Sequence, residues 1–224
     1  MKKIVFFLIF CFLFPGCGAK QIPEWQDASF THLENFKKSY LIGKGNITEL
    51  YFNRAVDEIT KSGDLDILSR AYLTKYAVSV AALETFDDSE YRRIDAVQSA
   101  PQNRAFYLFL KGSFDTVDER LLPNQYNSFL RAYRKGKTED VTREILKIED
   151  PLSKLIVIGL LVQKNTYDEV TLNAAIDTAS YNGWKRVLLA YFNKLQSFYE
   201  THNDKERAAQ IEQKIQILKK QPLN

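Results

Sequence analysis

Residues 150–162 read Asp-Pro-Leu-Ser-Lys-Leu-Ile-Val-Ile-Gly-Leu-Leu-Val, and the fold turns on them. Asp150 before Pro151 is a helix start, because an N-cap carboxylate accepts an orphan amide and Pro suits the first helical position. Beyond it only Ser153, Lys154 and Gly159 interrupt the aliphatic side chains. A helix apolar on nearly every side is buried on every side. This one is well short of the roughly 20 residues that span a bilayer. It is therefore expected to be the central buried helix of the second half of a globular, all-α domain.

Outward from this stretch the chain reads as amphipathic helices separated by caps, with almost no alternating strand pattern. The first is expected over 24–42, with Trp25, Phe30, Leu33, Phe36, Tyr40 and Leu41 on its apolar stripe. The second covers 47–61 with Ile47, Leu50, Phe52, Ala55 and Ile59. Asp64 caps a third, to about Leu83, whose apolar residues spread over several faces and set it between neighbours. Asp87-x-x-Glu90 reads as a capping box for a helix to about Ser99. Pro101 opens the next, ending at Gly112, and 113–122 is irregular. Pro123 opens a helix to about Lys135, and Thr138 caps the one holding Val141, Ile145 and Ile148. Thr166-x-x-Glu169 starts a further helix, 184–200 forms another, and Asn203-x-x-Glu206 caps the last. Ten or so helices joined by short turns imply stacked antiparallel hairpins, because few other arrangements bury one stripe per helix. Nothing in the middle reads as a flexible linker, so 24–220 is expected to be one helical-repeat-like array.

The N-terminus is a different kind of segment. Lys2 and Lys3 precede an unbroken apolar run over 4–14, then Pro15, Gly16 and Cys17. A basic start, a short apolar run and a small residue before the cut define a secretory signal peptide. Because cysteine follows the cut, the segment resembles a bacterial lipoprotein signal with its lipobox. Phe14 and Pro15 depart from the commonest lipobox, whereas Gly16 and Cys17, its most restrictive pair, match. The resemblance implies a signal peptide over 1–16, acylation of Cys17 and a lipidated tether over 17–23. Two or more acyl chains, at about 0.8 kcal/mol per buried CH₂, anchor stably. Gly18 lacks the aspartate that retains such proteins at an inner membrane, which implies an outer-membrane address facing the periplasm.

The whole chain carries 31 basic and 28 acidic residues. Lys2 and Lys3 belong to the signal, so the remainder is close to charge-balanced and lacks the basic stripe of a nucleic-acid binder. Loss of the signal also leaves Cys17 as the sole cysteine, excluding an intramolecular disulfide. Stability then has to come from packing of a bulky aromatic core, with 15 Phe and 12 Tyr in the chain.

Partial repeat signals accompany the helices. Gly43, Thr48, Phe52 and Ala55 near the start, and Phe192, Leu195, Tyr199 and Ala208 near the end, resemble the large and small positions of tetratricopeptide hairpins. The alternative is an irregular α-solenoid. With the Trp after the tether, Ser62-Gly63-Asp64-Leu65 and Asn182-Gly183-Trp184, the layout is similar to a group of uncharacterised proteobacterial envelope lipoproteins. That likeness implies a fold and an address, and no activity.

Chemistry is sparse. His32 and His202 lie near opposite ends, which argues against a metal centre. No Gly-x-Ser-x-Gly occurs, and Gly43-Lys44-Gly45 lacks the spacing of a phosphate cradle. No cofactor or metal is expected. Asp87, Asp88 and Glu90 form the densest carboxylate cluster, and a cell-wall or lipid-modifying enzyme would need them in a buried, charge-lined cleft. Phe106, Tyr107, Phe109, Tyr126, Phe129 and Tyr133 either line a groove for a partner's helix or peptide, or belong to the core. The leading expectation is a membrane-anchored lipoprotein scaffold or adaptor that binds other cell-envelope proteins and catalyses nothing. The runner-up readings are that enzyme and a small-ligand-binding periplasmic lipoprotein.

Overall fold

The computed structural model describes residues 22–220. Cys17, the signal over 1–16 and most of the tether fall outside them. Eleven α-helices and two 3-10 turns make up the regular structure among the described residues. They are α1 Glu24–Ile42, α2 Asn46–Thr60, α3 Leu65–Ala81, α4 Ser89–Val97, α5 Pro101–Leu110, α6 Asn127–Arg134, α7 Thr138–Leu146, α8 Pro151–Gln163, α9 Glu169–Tyr181, α10 Lys185–Thr201 and α11 Lys205–Lys220. The chain is all-α, as its patterning implies.

Two helices organise the rest. α3 packs against α1, α2, α4 and α5 from its own half and against α8 from the other. α8 in turn meets α7 and α9. Consecutive helices pair as hairpins in α1–α2, α9–α10 and α10–α11, while α1 also reaches α10. The halves thus meet at α3–α8 and at α1–α10, among other contacts. Leu155 through Leu161 are all buried, and so is every residue of α3 from Tyr76 to Ala81. The two central helices therefore have neighbours on all sides.

Their crossing depends on Gly159. A Cβ there would overlap the backbone carbonyl oxygen of Val80 on α3 and lie 3.0 Å from its carbonyl carbon. Backbone cannot rotate aside as a side chain can, so only glycine permits this approach. Tyr191 of α10 donates its hydroxyl to the Leu155 carbonyl at 3.2 Å, and Tyr126 bonds Ser153 at 3.1 Å. On the far side of α3, the buried Asn103 of α5 donates to Asp66 Oδ1 at 2.7 Å.

Several starts fall where the sequence puts them. Asp64 accepts the Ile67 amide at 3.0 Å, Asp150 accepts that of Ser153 at 2.7 Å, and Pro101 sits in the first turn of α5. Others shift by a residue or two. Asp168 and Thr171, not Thr166 and Glu169, form the capping box of α9. Asn165 takes φ 55° and the Thr166 amide closes α8 onto the Leu161 carbonyl, so Thr166 ends one helix instead of starting the next. Likewise Asn203, at φ 60°, closes α10, and Asp204 accepts the Arg207 amide at 3.0 Å. Thr138 is already helical and makes no cap. The Asp87–Glu90 box does not form either. Asp87 accepts the Ser89 amide at 2.9 Å and Glu90 pairs with Arg93 at 2.6 Å.

On α1 the buried line runs through Ser29, Phe36 and Tyr40, with Leu33 packed on the core. Phe30, expected on that stripe, lies about 100° from it and is 63% exposed. Ile47 and Leu50 are exposed in the same way beside the buried Thr48, Phe52 and Ala55.

Gly159→Ala should test the crossing. Alanine gains about 1 kcal/mol of helix propensity, but overpacking against backbone costs about 3 kcal/mol or more. The expected net result is a lower urea midpoint with helical circular dichroism retained before the transition. An unchanged or raised midpoint would show that α3 and α8 are free to separate.

Candidate functional site

A cleft of about 400 Å³ opens between α1, α2, α3, the 82–88 turn, the start of α4 and the start of α10. It is built from local geometry upward. α3 ends in a Schellman turn, in which the Glu84 amide bonds the Ser79 carbonyl at 2.8 Å and the Leu83 amide bonds that of Val80 at 3.0 Å. The left-handed position of this turn is normally glycine, yet here it is Leu83, at φ 59°. That conformation costs a residue with a Cβ about 1–2 kcal/mol. Leu83 packs on the core, which fixes the turn and swings Glu84 back over the end of its own helix.

Glu84 there meets partners from both ends of the chain. Arg186 of α10 grips it with two hydrogen bonds, Nε to Oε1 at 2.7 Å and a terminal nitrogen to Oε2 at 2.8 Å. Tyr40 of α1 donates its hydroxyl to Oε2 at 2.7 Å and lies 3.0 Å from Ser79 Oγ. The Tyr40 hydroxyl has one proton, and the short bond to the carboxylate takes it; the single Ser79 proton has two acceptors in reach, Tyr40 Oη and the Lys75 carbonyl, each at 3.0 Å. The Arg186 guanidinium also lies over the Tyr40 ring, 4.1 Å from its centroid. Burial, reinforced by the Glu84 charge, raises the Tyr40 phenol to about 12. At neutral pH it is a fixed donor and not a base.

The remaining lining follows the same logic. Lys75 pairs with Glu49 at 2.9 Å and lies 4.5 Å above the Phe52 ring. Tyr76 and Phe86 stack at 4.6 Å, and burial raises Tyr76 to about 12. Tyr72, Asp87 and Glu90 complete the wall. Two of the three clustered carboxylates thus do line a cleft. Asp88 does not line it. It accepts Tyr107 Oη at 2.8 Å, Lys111 Nζ at 3.1 Å and Arg92 Nε at 2.8 Å. Those bonds, the Tyr107 one foremost, hold its carboxyl at about 2. Asp88 is an anion at neutral pH and cannot act as a general acid. It ties the 82–88 turn to α5.

The aromatic group considered for a partner groove lies elsewhere. Phe109, Phe129 and Tyr126 are buried, with Tyr126 and Phe129 at 4.7 and 6.2 Å from the Phe109 ring. Phe106 and Tyr133 pack against this cluster, half-buried, and Phe114 fills its centre. Tyr107 turns away to stack on Tyr91 at 4.5 Å. Phe109, Tyr126 and Phe129 thus belong to the core, whereas Phe106, Tyr107 and Tyr133 pack on it half-buried. His32 stacks on Tyr51 at 6.4 Å and His202 bonds the Phe198 carbonyl at 2.8 Å. Among the described residues no set of three metal-ligating side chains converges, and no helix is long and apolar enough to cross a membrane.

Glu84, Arg186 and Ser79 were not visible as a site in the sequence. Residues 84 and 186 are 102 positions apart, and the one local hint is a helix stop at Leu83 without a glycine.

Two outcomes follow from this geometry. A double-mutant cycle on Glu84→Gln and Arg186→Ala should give a coupling of about 1 kcal/mol, the bidentate bond being discounted because both side chains are about one-third exposed. For Asp88, a folded pKa below the ordinary value means stability that is present above about pH 4 and lost as pH falls toward about 2. Asp88→Asn should therefore flatten the acid limb of the stability profile over that window, measured by urea titrations across pH. A limb of unchanged slope would place its origin elsewhere. Comparison of the chain with protein families, curated proteins and solved structures finds no match to any of them.

Proposed function

We propose that this chain is a lipid-tethered, non-catalytic adaptor of a bacterial cell envelope, held at a membrane through Cys17 with its helical domain in the periplasm. The observation that carries the reading is the chemistry of the cleft. Glu84, Arg186, Lys75 and Glu49 are mutually paired, and Tyr40 and Tyr76 are held protonated. Such a lining presents fixed donors, acceptors and rings, which suits recognition, and offers no activated nucleophile. The address rests on Lys2, Lys3, the apolar run over 4–14 and the Gly16-Cys17 pair. Hairpin packing of tetratricopeptide type is part of the proposal, supported by the buried small residues Thr48, Ala55 and Ala208.

One observation favours a second reading, an enzyme acting on cell-wall or lipid material: Asp87 and Glu90 line the cleft together. That reading requires Asp87→Asn or Glu90→Gln to abolish turnover of isolated cell-wall or membrane material by the wild-type protein.

Cys17→Ala tests the anchor. It should abolish acylation, seen by mass spectrometry, and either release the protein to the soluble periplasm or leave it unprocessed. Wild type, solubilised in detergent, should retain one or a few specific envelope proteins on pull-down. Recovery of abundant contaminants alone, or a wild-type residue 17 without acyl chains, would contradict the proposal.

A further inference from the structure

The cleft already contains two examples of one arrangement, each made from the chain's own side chains. Arg186 lies over the Tyr40 ring and bonds Glu84; Lys75 lies over the Phe52 ring and pairs with Glu49. In both, a cation sits between an aromatic face and a carboxylate, where ring quadrupole and anion attract it together. The lining that remains is Tyr72, Tyr76, Phe86, Asp87 and Glu90 with three hydroxyl side chains. Phe86 is already covered, by the stacked Tyr76 ring at 4.6 Å and by Lys111 Nζ at 5.5 Å, which leaves the Tyr72 ring with the two carboxylates. Arg93, 76% exposed, pairs with Glu90 Oε2 at 2.6 Å and is not part of the lining. Asp87 commits Oδ1 to the Ser89 amide and keeps Oδ2. Arg92 and Lys111 are engaged on Asp88, outside the lining. Within the lining, four carboxylates therefore face two cations. The cleft's volume of about 400 Å³ is at the lower end of small-ligand sites.

We propose that this cleft receives a basic side chain, a lysine or arginine presented by the partner protein, seated against Tyr72 with Asp87 and Glu90 as its counter-ions. The inference rests on the adaptor reading and names the chemistry of the partner's contact. Partly exposed ion pairs such as Lys75–Glu49 are weak, so the rim can rearrange around an entering cation at little cost. The half-buried Tyr72 ring, edge-on to Phe52 at 5.4 Å, is held in place to receive it.

Full-length acylated protein in detergent can be titrated with Nα-acetyl-lysine methylamide and Nα-acetyl-arginine methylamide, read by saturation-transfer NMR on the probe. Their neutral counterparts, the Nε-acetylated lysine and the citrulline compounds, serve as isosteres. Basic probes should saturate and bind about tenfold more tightly than the neutral ones. Asp87→Asn/Glu90→Gln, which keeps the hydrogen-bonding shapes, should remove most of that preference, whereas Glu206→Gln on α11 should not. The same double variant should lose the partner that wild type retains on pull-down while keeping its acyl chains. Equal binding of basic and neutral probes, no saturable binding, or a preference that survives the double substitution would overturn the cation site. Cation-selective binding with undiminished partner capture would overturn the assignment of the ligand to the partner. Wild type that captures nothing while the probes still discriminate would refute the adaptor reading and leave the cation chemistry standing.

Discussion

The close passage of α8 over α3 at Gly159 is the constraint on which the rest of the structure depends. With a hydrogen in place of a Cβ, the α8 backbone comes down onto the Val80 carbonyl. The two helices with the longest continuous buried runs can then bury each other. Everything else attaches to this pair. α1, α2, α4 and α5 cover α3, α7 and α9 flank α8, and α10 is tied to α8 through Tyr191. At about 25 cal/mol per Å² of apolar surface removed from water, a core with no disulfide depends on helices that can approach this closely.

The cleft is a consequence of the same crossing. Once α3 and α8 are fixed, the end of α3 and the start of α10 are fixed too, and α1 lies between them. Glu84 is delivered there by a left-handed Leu83, and Arg186 arrives from the other half of the chain. The clasp they form with Tyr40 is partly exposed, so its contribution to stability is modest beside that of the core. Its larger effect is positional, since it holds ring, carboxylate and guanidinium in one orientation. Strain at Leu83 and a buried, protonated Tyr40 are costs that the packing below absorbs.

Much of the fold was legible in the sequence because helix periodicity and Asp or Pro starts are local signals. Asp64, Pro101 and Asp150 act where they were read, and the 150–162 stretch is buried as its composition demands. Two of the errors share a cause. In a short turn one residue must close the preceding helix before another opens the next, so Asn165 with Thr166, and Asn203, were spent on closure and the caps moved to Asp168 and Asp204. Phe30 shows the limit of reading a stripe by eye, since one residue of phase carries a side chain from core to solvent. The aromatic group from Phe106 to Tyr133 could be read either way, and burial assigns Phe109, Tyr126 and Phe129 to the core. The cleft was not legible, because its pairing of residues 84 and 186 is a product of tertiary structure.

Native-state hydrogen exchange read helix by helix tests the organising role of the α3–α8 pair most directly. Amides of Tyr76–Ala81 and Leu155–Leu161 should be the slowest in the domain and exchange only through global unfolding, with α2 and α11 opening earlier. Exchange of α3 and α8 ahead of the peripheral hairpins would contradict it.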